Sequence, residues 1–156
     1  MILGIDPGLA NTGWAVLKDE NTLVECGCLV TKISDNSPKR LAEIYEELER
    51  LIKKYDITAL AFESLFFAKN AKSALKVAEA IGVIKICGEK NKIEVAEFTP
   101  LQVKMALVGY GRAEKEQVEI MVRNFLCLEK NISPSHASDA VAVALTYLFT
   151  NKNLQG

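Results

Sequence analysis

The chain has 156 residues, 49% of them hydrophobic and 25% charged, a balance that excludes disordered, collagenous and low-complexity proteins. Nineteen Lys and Arg against twenty Asp and Glu leave a formal net charge of −1, so bulk charge does not mark a nucleic-acid binder. No apolar run approaches the roughly 18 residues of a membrane span, and the opening MILGIDPG meets an acidic residue at Asp6, unlike a signal peptide. A single domain over residues 1–156, cytoplasmic and without membrane contact, is expected.

In chain order, Ile2 to Asp6 reads as a buried strand stopped by the Pro7-Gly8 turn. Gly13–Leu17 and Leu23–Thr31 continue a meander. From Pro38 onward, Leu41, Ile44, Tyr45, Leu48, Leu51 and Ile52 form a stripe of helical period on an acidic helix. Ile57 to Phe62 predicts a second buried strand, again followed by a carboxylate, Glu63. A long helix over about Asn70 to Cys87 is expected to face the core with Ala71, Ala74, Leu75, Ala78, Ile81 and Gly82, leaving Lys69, Lys72 and Lys76 opposite. Lys92–Glu97 predicts a strand, and Thr99-Pro100 opens a helix to Leu107. The loop GYGR (109–112), a helix over Glu114–Leu126 and a last helix from Ser133-Pro134 to about Phe149 complete an α/β order with a mixed sheet. Cys26, Cys28, Cys87 and Cys127 show no zinc spacing and read as reduced thiols.

Two buried strands ending in Asp6 and Glu63, if parallel neighbours, place both carboxylates at one sheet edge, where open α/β sheets put their sites. Asp6 alone reads as a turn cap; Glu63, set between ALAF and Leu65-Phe66-Phe67, needs a cation to stay ionised. His136, the one histidine, and Asp139 share a face of the last helix at i and i+3. Each has a bland reading, a structural histidine and an acid near a helix N-terminus. Convergence with Asp6 and Glu63 would instead make an oxygen-rich site suited to Mg²⁺ or Mn²⁺. Between Phe66 and Lys92, six lysines stand against two glutamates, which suits either a phosphate-facing surface or a solvated helix face.

GIDPG, the block ESLFFAKNAKSALKVAEAIGV over Glu63–Val83, Gln102-Val103-Lys104, the stretch from Val108-Gly109 to Ala113-Glu114-Lys115, and SHASDAVAVAL together resemble the RuvC family of crossover junction endodeoxyribonucleases, the Holliday junction resolvases. The resemblance runs in order from about Ile2 to Tyr147, and its FxAKNAxSALK block is far more specific than the GIDPG turn. It implies an RNase H-like α/β fold, a five-stranded mixed sheet with helices on both faces. It implies that the chain cuts four-way DNA junctions by paired symmetric nicks, leaving 5′-phosphate and 3′-hydroxyl ends. Asp6, Glu63 and Asp139 fall on the family's catalytic acids. His136 stands where the closing helix normally carries another acid, which keeps the ligand count and lowers the negative charge by one. Asp6, Glu63, His136 and Asp139 would hold two Mg²⁺ ions, with Mn²⁺ able to substitute, and Lys115 would neutralise charge at phosphorus.

Phe66 falls on an aromatic that enters the junction, and Lys104 and Lys115 on phosphate-contacting lysines. Asn11 and Thr12 are expected as backbone-phosphate donors, and Lys69, Lys72, Lys76 and Arg112 as nonspecific phosphate contacts. Cutting two strands symmetrically calls for a homodimer, with Val77–Ile86 as the candidate contact; a RuvA–RuvB partner is implied by the family. The competing readings are an RNase H-like nuclease on another nucleic acid, a sugar kinase or actin-type ATPase sharing the GIDPG turn, and a noncatalytic junction-binding protein.

Overall fold

The computed structural model describes residues 1–64 and 71–154. Five strands, β1 (Ile2–Asp6), β2 (Asn11–Asp19), β3 (Thr22–Val30), β4 (Ala59–Glu63) and β5 (Glu94–Phe98), form one sheet in the order β3-β2-β1-β4-β5. The pairs β3/β2 and β2/β1 are antiparallel, as a meander demands, whereas β1/β4 and β4/β5 are parallel. Parallel neighbours need a helical crossover, and α1 (Ser37–Tyr55) and α2 (Ala71–Asn91) supply it. The chain then adds α3 (Pro100–Val108), α4 (Lys115–Phe125) and α5 (Ser135–Leu154). The expected mixed five-stranded sheet is observed.

The sheet is buried on both faces, which explains why β1 and β4 read as unbroken apolar runs. One core gathers Leu3, Ile5, Val16, Leu60 and Phe62 against Ile44, Leu48 and Leu51 of α1 and Ile84 of α2. The other gathers Ala15, Leu17 and Ala61 against Val103 and Leu107 of α3, Val122 of α4 and the Ala140–Leu145 stretch of α5. Asn36 caps α1, its Oδ1 accepting from the Lys39 amide at 3.0 Å, and Pro38 sits in the first turn.

Helix α2 corrects the sequence reading. Its buried residues are Ala80, Ile81, Ile84 and Cys87, while Leu75 is 67% and Ile86 59% exposed and Ala78 also faces solvent. Of the predicted face, Ile81 is buried as expected, whereas Leu75 and Ala78 face solvent and Ala74 and Gly82 are half-buried. Alanines occupy both sides of this helix, so periodicity alone could not choose; the longer Ile81 and Ile84 settle it by joining the core that the sheet shares with α1. The same helix thus carries a second, outward apolar seam.

Candidate active site

The β1/β4 register pairs Ile5 with Phe62, so the next residue on each strand, Asp6 and Glu63, stands at the same C-terminal edge. On the other side Asp6 pairs with Gly13 of β2. A Cβ on Gly13 would overlap the His136 carbonyl, and one on Gly4 would overlap the Ala140 carbonyl. Two glycines therefore let the first turns of α5 lie directly on the backbones of β1 and β2. That seat delivers His136 and Asp139, one turn apart, to the end of β1.

The result is a cluster. Ligand atoms of Asp6, His136 and Asp139 all lie within 4.8 Å of one another, and His136 Nδ1 is 2.7 Å from Asp6 Oδ2. Glu63 shares a groove with Asp6 and Asp139 whose walls include Pro100, Val103, Val118 and Ala142. Two cations complete that groove. Lys104 comes from α3, which starts in a capping box where Thr99 and Gln102 exchange side-chain and backbone bonds of 2.8 and 3.2 Å. Lys115 opens α4, and its Nζ donates to Asp139 Oδ2 at 2.6 Å. Of the predicted ligands, Asp6 and Asp139 cluster with His136, and they share the groove with Glu63 and both predicted phosphate lysines; Glu63 itself stands outside the three-residue cluster.

The electrostatics show what this arrangement lacks. Burial, reinforced by the charges of Asp6 and Asp139, pushes the Glu63 carboxyl up to about 7, although Lys115 and Lys104 pull it down. Burial likewise raises Asp6, with the Asp139 charge adding to it and the His136 hydrogen bond opposing it. For Lys115, burial disfavours the charge, yet the hydrogen bond and charge of Asp139 outweigh it and its pKa rises. Two lysines thus offset three carboxylates only in part. Asp6, His136 and Asp139 offer a set of ligand atoms that could hold a metal ion, with the Glu63 carboxylate beside them in the groove.

The other predicted residues divide. Asn11 and Lys76 line a second groove on the far side of Asp6. Thr12 does not present a donor to solvent: it is 3% exposed and its hydroxyl donates to the Gly8 carbonyl at 2.6 Å, holding the turn after β1. Lys72 is exposed on α2, and Arg112 is exposed in the loop between α3 and α4, outside the lining of the acidic groove. Phe66 and Lys69 lie outside the described residues. Arg40 was missed, although it lies one turn before Ile44 on the buried stripe of α1.

The family model for crossover junction endodeoxyribonuclease RuvC matches residues 2–147. The chain belongs to the RuvC family. Among curated members, crossover junction endodeoxyribonuclease RuvC of Natranaerobius thermophilus is 43% identical over 150 residues, 94% of this chain and 93% of the relative. The Clostridioides difficile RuvC is 41% identical, covering 97% and 92%. The solved Thermus thermophilus RuvC superposes with a TM-score of 0.91 at 32% identity, covering 97% and 95%. The same RuvC in complex with a Holliday junction substrate superposes at 0.92 and 31% identity, covering 97% and 94%.

Proposed function

We propose that this chain is a divalent-metal-dependent endonuclease that resolves four-way DNA junctions by hydrolysing one phosphodiester in each of two symmetric strands, leaving 5′-phosphate and 3′-hydroxyl ends. The observation that supports this reading is the cluster of Asp6, His136 and Asp139 at the end of β1, opening onto a groove that Glu63, Lys104 and Lys115 also line. Divalent cations, two per site and either Mg²⁺ or Mn²⁺, supply when bound the activation of water and the neutralisation of the leaving oxygen. Asp6, which borders both the Glu63 groove and the α5 pair, would be the shared ligand, with Glu63, Asp139 and His136 as the further ligands that would hold the ions. Lys104 and Lys115 orient the scissile phosphate, and Lys115 offsets negative charge as it builds on phosphorus. Because imidazole is softer than a carboxylate, Mn²⁺ should support cleavage at least as well as Mg²⁺.

One site per chain cuts one strand, so the paired reaction needs two copies. The outward seam of α2, Leu75, Ala78, Gly82 and Ile86, supports a helix-on-helix contact, since no neighbouring atom lies within 4 Å of a Cβ built at Gly82. Sedimentation should give a dimer at micromolar concentration, and Ile86→Glu a monomer that nicks without pairing its cuts.

The deciding experiment incubates labelled four-way junction, duplex and RNA–DNA hybrid with Mg²⁺ or Mn²⁺. Cleavage confined to the junction, abolished by Asp6→Asn while junction binding persists, is the expected result. Cleavage of the hybrid would favour a different RNase H-like nuclease, and binding without cleavage a noncatalytic junction protein.

A further inference from the structure

Asp6 borders both the acidic groove and a second one, which the turn after β1 and His136 also line. Its floor and far wall come from Asn11, Arg40 of α1, and Ser73 and Lys76 of α2. Among the described residues, Asp6 is the only carboxylate that lines it.

Arg40 is the unusual member, only 8% exposed. Its Nε donates to Thr31 Oγ1 at 2.8 Å, and that hydroxyl, itself buried, donates to the Leu9 carbonyl at 2.6 Å. The relay fixes the guanidinium against the turn and spends its Nε. Among the described residues no carboxylate lies within ion-pair distance of it. A buried cation with no acid beside it is costly to the fold, and such cations ordinarily have a partner. Lys76, exposed across the groove, adds a second positive charge. The partner this groove suits is an anion, and a guanidinium favours phosphate.

We propose that this groove is a phosphate subsite for the nucleic-acid strand being cut, holding a backbone phosphate next to the scissile one, with Arg40 as its buried anchor and Lys76 as its exposed companion. The inference rests on the nuclease reading above and names a contact for that strand on the far side of Asp6. A strand whose scissile phosphate lies at Asp6 continues over the Pro7–Asn11 turn, and the first anion past the turn meets Arg40.

The test pairs protein variants with four-way junctions carrying one uncharged methylphosphonate at a time around the cut, with binding read under chelation and cleavage with Mg²⁺. In the wild type, neutralising one phosphate adjacent to the cut should weaken binding roughly tenfold or more. Arg40→Gln should abolish the penalty at that phosphate, leave penalties elsewhere intact, and lower the salt slope by about one. Lys76→Gln, at an exposed position that cannot unfold the core, should reduce the same penalty, so the proposal stays testable even if Arg40→Gln fails to fold. Penalties unchanged in the folded variants, or reduced equally at every phosphate, overturn the inference while junction cleavage stands. A wild type that neither binds nor cuts junctions overturns the nuclease reading and this subsite with it.

Discussion

The two grooves that meet at Asp6 are built in opposite ways. On the Glu63 side, carboxylates from β1, β4 and α5 crowd together with only Lys104 and Lys115 to offset them. On the Arg40 side, a buried guanidinium and an exposed lysine face, among the described residues, no acid but Asp6. The first groove is short of positive charge and calls for cations; the second is short of negative charge and calls for an anion. A polyanionic strand with divalent ions answers both deficits at once, a complementarity that neither groove reveals alone.

The comparison can be broken by changing either balance. The largest effect is expected from Lys115→Met, which removes the positive charge bonded to Asp139. Cleavage should fall roughly a hundredfold or more, in the range seen when one preorganised charge stabiliser is lost. Because Lys115 holds Glu63 down, the acidic limb of the pH–rate profile should also move to higher pH. A profile that drops without moving would separate phosphate contact from electrostatic balance.

The second expectation concerns pH. Glu63 sits at about 7 in the folded chain, above the usual 4.5. A raised carboxylate favours the folded state most below the unfolded value, and that contribution is lost as pH climbs through about 7. Thermal melts under chelation should therefore show stability draining away between about pH 4.5 and 8. Saturating Mg²⁺ binds the ionised carboxylates, so it should stabilise increasingly over the same interval. Parallel curves with and without the ion would mean that Glu63 does not take part in the cation site.

A third expectation concerns Gly13→Ala, which touches both grooves through α5. Its added methyl meets the main-chain carbonyl of His136, which no side-chain rotation clears, so the cost should reach or exceed the roughly 1–3 kcal/mol usual for overpacking. Calorimetry should register that loss, with a parallel weakening of Mn²⁺ binding as His136 is pushed from Asp6. Weaker ion binding without lost stability would place the strain at the site rather than in the core.

Much of this was readable before any coordinates. Two apolar strands ending in acids, separated by a hairpin of strands and a helix, put Asp6 and Glu63 at one edge because parallel pairing aligns the strand ends. The i, i+3 spacing put His136 and Asp139 on one face of α5. Less legible were features that depend on which of two equivalent options packing selects. The small residues on both sides of α2 concealed its buried face, and only contact with the sheet singled out Ile81 and Ile84. Thr12 looked like a phosphate donor because a hydroxyl past a turn is chemically suited to one, but the turn's own carbonyl claims it first. Arg40 hid in plain view on an apolar stripe, where charge type drew attention away from position.

Nothing but hydrogen stands between α5 and the strands at Gly4 and Gly13, so the spacing from His136 and Asp139 to Asp6 is set by main chain touching main chain. Repacking the interior elsewhere would have little leverage on that distance. Were His136 to hold an ion, a lineage needing a different one would find it easier to exchange the donor atom at position 136 than to slide the helix.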